Sequence, residues 1–349
     1  MSDKTLSSLL TQVLPHLDPV LLPSPERILE LAKQLPSTPR ALLEFRLGNT
    51  GEQVDLSQCF KHRDRHELET WMESHSGNTW TELKLFVKKL NTEGDTVHSS
   101  ITDVGLELDL PLADTGQFPL PNLFFMPKKN AASTNSKQEI TQLLERVCRG
   151  FFDQASVSIL IKNTLPVINA LPKEAQLNYA ALMLARPNVA LRLQFHGIHF
   201  SRIKGYLQDI GMASIPAALD EAITLASHYF QRTVVCLDLE PQTASRIGLE
   251  LFTKDIKPEY STKIFIGQLV NLGLCTEPEG QALAQWPGTM DPGPLLPAWN
   301  KAAADNTPSE FLTIQRNLTH IKLLALENQG LQVKAYLEFR RHSVLLSAR

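Results

Sequence analysis

The chain has 349 residues, with 34 Lys+Arg against 37 Asp+Glu, a formal net charge of -3 and 43% hydrophobic residues. This is the balance of an ordinary globular protein, and it argues against a nucleic-acid or membrane surface, because such partners call for a basic excess. Cys59, Cys148, Cys236 and Cys275 are too scattered for a zinc site or a disulfide framework, and neither a signal-peptide core nor a run of about 18 apolar residues is present, so the expected location is the cytoplasm.

Residues 1–25 carry Pro15, Pro19, Pro23 and Pro25, which interrupt any helix, and they read as a proline-rich lead-in to a single domain over 26–349. A first helix is expected from Ser24 as N-cap and Pro25 at the first helical position, with Ile28, Leu31, Ala32 and Leu35 on one face. The period then changes. Leu43, Phe45 and Leu47 alternate with Glu44, Arg46 and Gly48, and after a turn Val54 and Leu56 continue as a hairpin partner.

The same alternation predicts strands at Leu83–Val87, Val104–Leu110, Val157–Ile161, Val189–Phe195, Val235–Leu239 and Ile247–Leu251. A C-terminal hairpin follows, with Ile321 and Leu323 in one strand and Val333, Ala335, Leu337 and Phe339 in the other. Helical stretches are expected near 60–74, 137–150, 172–184, 201–231 and 259–285, and loops or insertions near 112–136 and 287–310, which are rich in Pro, Gly, Asn and Ala.

About ten strands result, mostly in adjacent pairs, which makes the pairing antiparallel and the class α+β. No G-x-G-x-x-G or G-x-x-x-x-G-K-[ST] suggests a nucleotide-binding sheet. Each strand has one apolar face for the helices to cover and one polar face. An open sheet with a wet face and a closed barrel with a polar lumen both satisfy that pattern, and ten strands favour closure, which removes both edges.

In element order the chain resembles the ABBA-type prenyltransferases, in particular the soluble aromatic and cyanobactin-peptide enzymes. The resemblance implies a ten-stranded antiparallel PT barrel of αββα repeats, surrounded by helices, with the reactants at its centre. The third repeat fits less well, because a helical stretch separates its two strands at 164–187. The implied activity is metal-independent transfer of a dimethylallyl or geranyl group from an allylic diphosphate to a peptide side chain or small aromatic acceptor in natural-product biosynthesis. No cofactor is implied, and magnesium is not required, since Arg and Lys on neighbouring strands meet the leaving diphosphate; no D-D-x-x-D pair is present.

Carried onto this sequence, the diphosphate set is Lys84, Lys162, Arg192, Arg246, Lys322 and Lys334, and Glu44 in Leu-Leu-Glu-Phe-Arg is the catalytic carboxylate of the first strand. Tyr336, Glu107, Asp238 and Glu250 form the acceptor and prenyl pocket. The resemblance departs in one respect: strand parity puts only Tyr336, Phe86 and Phe252 as aromatics inside, where an allyl cation is usually shielded by several. That shortage supports a non-catalytic peptide-binding or accessory protein on the same barrel, and the many carboxylates admit a cationic acceptor. No metal site is expected, because His62 and His66 lie four apart among charges that suit an exposed face.

Overall fold

The computed structural model describes residues 5–48, 53–111, 118–128, 137–186, 191–212, 217–240, 244–290, 309–326 and 330–346. Its strands are β1 (Arg40–Leu47), β2 (Gln53–Phe60), β3 (Ile101–Pro111), β4 (Asn122–Pro127), β5 (Gln176–Leu182), β6 (Leu191–His196), β7 (Val234–Leu239), β8 (Ala244–Phe252), β9 (Gly288–Met290), β10 (Ser309–Leu326) and β11 (Gly330–Leu346). The helices are α1 (Leu6–Val13), α2 (Glu26–Ala32), α3 (Arg65–Met72), α4 (Asn78–Asn91), α5 (Thr96–Ser100), α6 (Lys137–Cys148), α7 (Gln154–Asn169), α8 (Phe200–Asp209), α9 (Ala217–Tyr229), α10 (Thr262–Asn271) and α11 (Glu277–Gln285).

Strands β1 to β8 pair in sequence order, β8 pairs with β10, β10 with β11, and β11 returns to β1. The ring is a closed, antiparallel, ten-stranded barrel; β9 pairs only with β10, outside the ring. Closure follows from the side-chain period of two. Leu43, Phe45 and Leu47 turn outward and are buried under helices, while Glu44 and Arg46 turn into the lumen. Burying each such leucine is worth about 1.5–3 kcal/mol, so a slip of one residue, which would exchange the faces, is strongly disfavoured.

The helices carry the matching apolar stripes. α4 buries Leu83, Phe86, Val87 and Leu90, and α7 buries Val157, Leu160, Val167 and Ile168. Their starts are fixed by side-chain caps: the Asp153 carboxylate accepts from Ser156 N, and Thr276 and Glu279 form a capping box at α11. Glu279 also accepts from Gly48 N at 3.0 Å, which ties α11 to the end of β1. Gly48 has φ +73 there, and a Cβ would lie 3.2 Å from the Leu274 carbonyl oxygen, so both conformation and space call for glycine.

Several expectations are corrected. Leu83–Val87 and Val157–Ile161 are not strands but parts of α4 and α7; Leu85 and Ile159, taken as apolar-face positions, are 50% and 44% exposed. The residues that pack follow helical spacing, and the short alternations fall by chance within it. The 172–184 stretch, read as a helix, holds β5, and 112–136, read as irregular, holds β4. The strand number survives with two members exchanged, and the third repeat is regular, with β5 and β6 paired directly. The proline-rich start contains α1, whose Leu6, Leu9, Leu10 and Val13 are buried, so proline punctuates a packed element there. The reading of 287–310 falls largely outside the described residues, as does that of 187–190 in the expected β6.

Candidate functional site

The lumen has two chemically different ends. At one, two guanidiniums hold one carboxylate, and a third stands opposite it on the neighbouring strand. Arg192 on β6 faces Asp238 on β7 by register and grips it with Nε–Oδ1 at 2.6 Å and Nη2–Oδ2 at 3.0 Å. Arg186, just beyond β5, reaches the same Oδ2 at 2.8 Å, and Arg246 on β8 is paired by register with Asp238 and is exposed at the mouth. Burial opposes the charge of both buried partners, but the Arg192 guanidinium holds Asp238 well below the usual carboxylate range, and Asp238 holds the proton on Arg192. The neighbouring guanidiniums, after burial, lower Arg246.

Next in the wall come two lysines. Lys334 on β11 bonds Glu44 and lies 3.8 Å from Asp55, which also meets Arg46 at 3.6 Å. Burial acts against the Glu44 anion, but the Lys334 ammonium and hydrogen bonds from Lys334 and Tyr336 hold its carboxyl below the ordinary range. Burial and the Glu44 charge push Asp55 up. Lys322 on β10 lies 3.2 Å from Glu250 Oε1 and donates to Cys236 Sγ at 3.1 Å. Burial works against its charge, but the Cys236 sulfur, Glu250 and Asp238 raise it.

The other end is a cavity of about 220 Å³ lined by aromatic faces and carboxylates. Phe252, His320 and Tyr336 stack in one row, with ring centroids 4.7 and 3.9 Å apart, and Phe124 meets Tyr179 edge to face at 5.4 Å. Glu107 and Glu250 reach the same cavity. Burial and the Glu44 charge raise Glu107 to about 7, against the pull of Arg192, whose Nη1 is 3.9 Å away.

Most of the residues expected at the site therefore meet in the lumen: Glu44, Arg192, Arg246, Lys322, Lys334, Tyr336, Glu107, Asp238 and Glu250. Two do not. Lys84 lies on α4 outside the barrel and pairs with Glu73 at 3.6 Å, and Lys162 is exposed on α7, because both segments are helices. Phe86 is also outside, packed 6.5 Å from Phe125 under α4. Glu44 is lumenal but does not line the aromatic cavity. Sequence reasoning missed Phe124, Tyr179 and Arg186 because β4 and β5 were not recognised. His320 and Asp55 could have been found, since both alternate with apolar residues in strands that were. Among the described residues, no group of three or more His, Cys, Asp or Glu could hold a metal ion, and no helix is long and apolar enough to cross a membrane.

An antiparallel ten-stranded barrel with helices outside and reactive groups inside defines the fold of the ABBA-type prenyltransferases, and this chain has that fold. It is similar in structure to 5-dimethylallyltryptophan synthase from Streptomyces coelicolor, with TM-score 0.57 and 13% identity over 96% of this chain and 98% of the other. The apo form of prenyltransferase PriB aligns with TM-score 0.53 and 12% identity over 95% and 94%. The Streptomyces coelicolor enzyme in complex with DMASPP and Trp aligns with TM-score 0.53 and 11% identity over 95% and 93%. No family model and no curated protein matches the sequence.

Proposed function

We propose that the protein is a prenyltransferase that needs no metal and moves a dimethylallyl or geranyl group from its diphosphate to a small aromatic acceptor or a peptide side chain. The observation that carries this is the grip of Arg186 and Arg192 on the single carboxylate of Asp238, with Arg246 opposite it in register, beside a cavity walled by aromatic rings. Three guanidiniums near one anion, two of them fixed by it, leave an excess of N–H donors, which suits a diphosphate whose negative charge grows as its C–O bond breaks. The allyl cation then meets the faces of Tyr336, Phe252, Phe124 and Tyr179, which attract positive charge through their ring quadrupoles.

Lys322 and Lys334 complete the cationic wall in this reading, and Glu107 and Glu250 are the acceptor-side carboxylates. Glu44 is a positioning residue, because its charge is held by Lys334 and Tyr336 rather than offered to the cavity. The structural likeness to a dimethylallyltryptophan synthase supports an aromatic acceptor, whereas a peptide acceptor rests on the resemblance alone.

The test is incubation with dimethylallyl, geranyl and farnesyl diphosphates and a panel of aromatic and peptide acceptors, following diphosphate release in EDTA. Release that persists in EDTA and falls at least about 100-fold in Arg246→Ala is expected, since one lost transition-state donor costs about this much. A folded protein that releases no diphosphate with any donor overturns the proposal. A non-catalytic binding protein is the second reading, favoured by the buried pairing of Lys322 with Glu250 and Lys334 with Glu44; ligand binding without turnover would support it.

A further inference from the structure

Outside the lumen, at its aromatic end, the barrel carries a second and larger cavity of about 910 Å³. It lies between the start of α10, the end of α11 and the rim of β8, β10 and β11. Arg40, Phe252 and Thr319 wall both cavities, so the two adjoin at a shared threshold. The inner one, about 220 Å³, is below the range of about 300–1,000 Å³ that holds a whole ligand, whereas the outer one is near its top. One ring or one side chain fits inside, and the body of the molecule that bears it has room outside.

Charge reverses across that threshold. The inner wall carries Asp103, Glu107 and Glu250 against Arg40. In the outer wall the charged residues are all basic: Arg40, Lys254, Lys263 and Arg340. Arg40 is held by Glu338, but the other three form no ion pair among the described residues. The Arg340 guanidinium donates to the neutral Gln315 Oε1, from Nε at 3.0 Å and Nη2 at 2.7 Å, and the Lys254 ammonium stands 5.6 Å from the centroid of the Phe252 ring. Asp255 and Glu259, acids close by in sequence, are not among the walls. In a chain of net charge -3 this is a local concentration of unneutralised cations on a concave surface, where low-dielectric walls focus the field.

We infer that the outer cavity is a docking groove for an acidic peptide, whose carboxylates lie along Lys254, Lys263 and Arg340 while a neighbouring side chain passes Arg40 and Phe252 into the aromatic cavity. A small acid with one carboxylate beside its ring would meet Arg40 at the threshold, where Glu338 already answers the charge, and would leave the three outer cations unused. Those cations stand on separate elements, just after β8, on α10 and on β11, and together they call for several carboxylates on one flexible chain. Exposed pairs are individually weak and screened by salt, so the groove acts through their number and by steering the encounter. That the entering side chain is the prenyl acceptor rests on the transferase reading; the docking groove itself does not.

Calorimetric titration of the full chain at low salt, without any diphosphate, tests the inference. The probes are capped pentapeptides with a central tryptophan flanked on each side by paired glutamates, glutamines or lysines, and N-acetyltryptophan as the small acid. The glutamate peptide is expected to bind at least about tenfold more tightly than the glutamine peptide, a preference that shrinks as salt rises. In the double variant Lys254→Gln, Lys263→Gln, at exposed sites whose exchange the fold tolerates, the preference should fall to about twofold or less, while N-acetyltryptophan binds as it does to the native protein. Equal binding of the glutamate and glutamine peptides, tighter binding of the lysine peptide, a glutamate preference that survives the double variant, or no binding by any peptide overturns the groove. An equal loss for N-acetyltryptophan in the double variant assigns the cations to a small acid and overturns the peptide. A glutamate preference without diphosphate release from any donor leaves the groove standing and sinks the transferase reading.

Discussion

The guanidinium end and the aromatic end of the barrel use buried polar groups in opposite ways. Around Asp238, cations crowd a single carboxylate whose two oxygens are both taken. In the aromatic cavity, Glu250 Oε2 and His320 Nε2 meet no protein donor among the described residues. One end holds spare donors and the other spare acceptors, so the lumen is polarised along its length while the chain as a whole stays near neutrality.

The largest effect is expected at the guanidinium end. Asp238→Ala leaves Arg192 buried beside Arg186 with no carboxylate between them, and breaking a buried pair in this way costs about 3–5 kcal/mol. Urea unfolding should read a loss of that size, and a change below about 1 kcal/mol would show that the cluster is not dry.

Between the two ends, pH separates the contributions. Glu107 is raised to about 7 from an ordinary 4.5, so in that interval the folded state holds a proton that the unfolded chain has released, and stability falls as pH rises. His320 is lowered to about 4 from 6.5, so the unfolded chain binds the extra proton and stability falls as pH drops. Each effect amounts to about 3 kcal/mol at 1.36 kcal/mol per pKa unit. They oppose one another between pH 4.5 and 6.5. Glu107→Gln should therefore make stability climb with pH over that window, and His320→Phe should make it fall; denaturation midpoints measured across it check both, and parallel slopes in the two variants would contradict the assignment.

A smaller effect is expected at the seam between the ends. A Cβ on Gly248 would lie 2.5 Å from Lys322 Cε, forcing the ammonium away from Glu250. Gly248→Ala should destabilise by about 1–3 kcal/mol, as overpacking does, and should weaken diphosphate binding; native-like affinity would show that Lys322 can relax without loss. The smallest effect belongs outside the barrel, where Lys84→Ala and Lys162→Ala should each change stability by less than about 0.5 kcal/mol and leave diphosphate binding unaltered. A clear loss of binding in either would contradict the placement of these residues on outer helices.

Much of this was legible in the residues. Alternation marked eight of the ten barrel strands, and with them the lumenal positions of Glu44, Glu107, Arg192, Asp238, Arg246, Glu250, Lys322, Lys334 and Tyr336. It misled where a short alternation lies inside an amphipathic helix, as at Leu83, Leu85 and Val87, because one apolar residue on the helix's exposed face, Leu85, completes a false period of two, and only the longer set Leu83, Phe86, Val87 and Leu90 shows the helical one. β5, with its Leu-Asn-Tyr-Ala-Ala-Leu run, lacks alternation in its burial, since Ala180, Ala181 and Leu182 are all buried on both faces of a closed wall.

Local sequence thus carried the strand class, the antiparallel hairpins and the inward parity of most charged groups, because side-chain direction in a strand depends only on residue spacing. Partner choice did not follow from it. That Asp238 meets Arg192 on β6 and Arg186 beyond β5 while standing opposite Arg246 on β8, and that Lys334 meets Glu44 across 290 residues, depends on how the ring closes and at what register. Closure also made the unpartnered pair Glu250 Oε2 and His320 Nε2, because it brought β8 and β10 side by side.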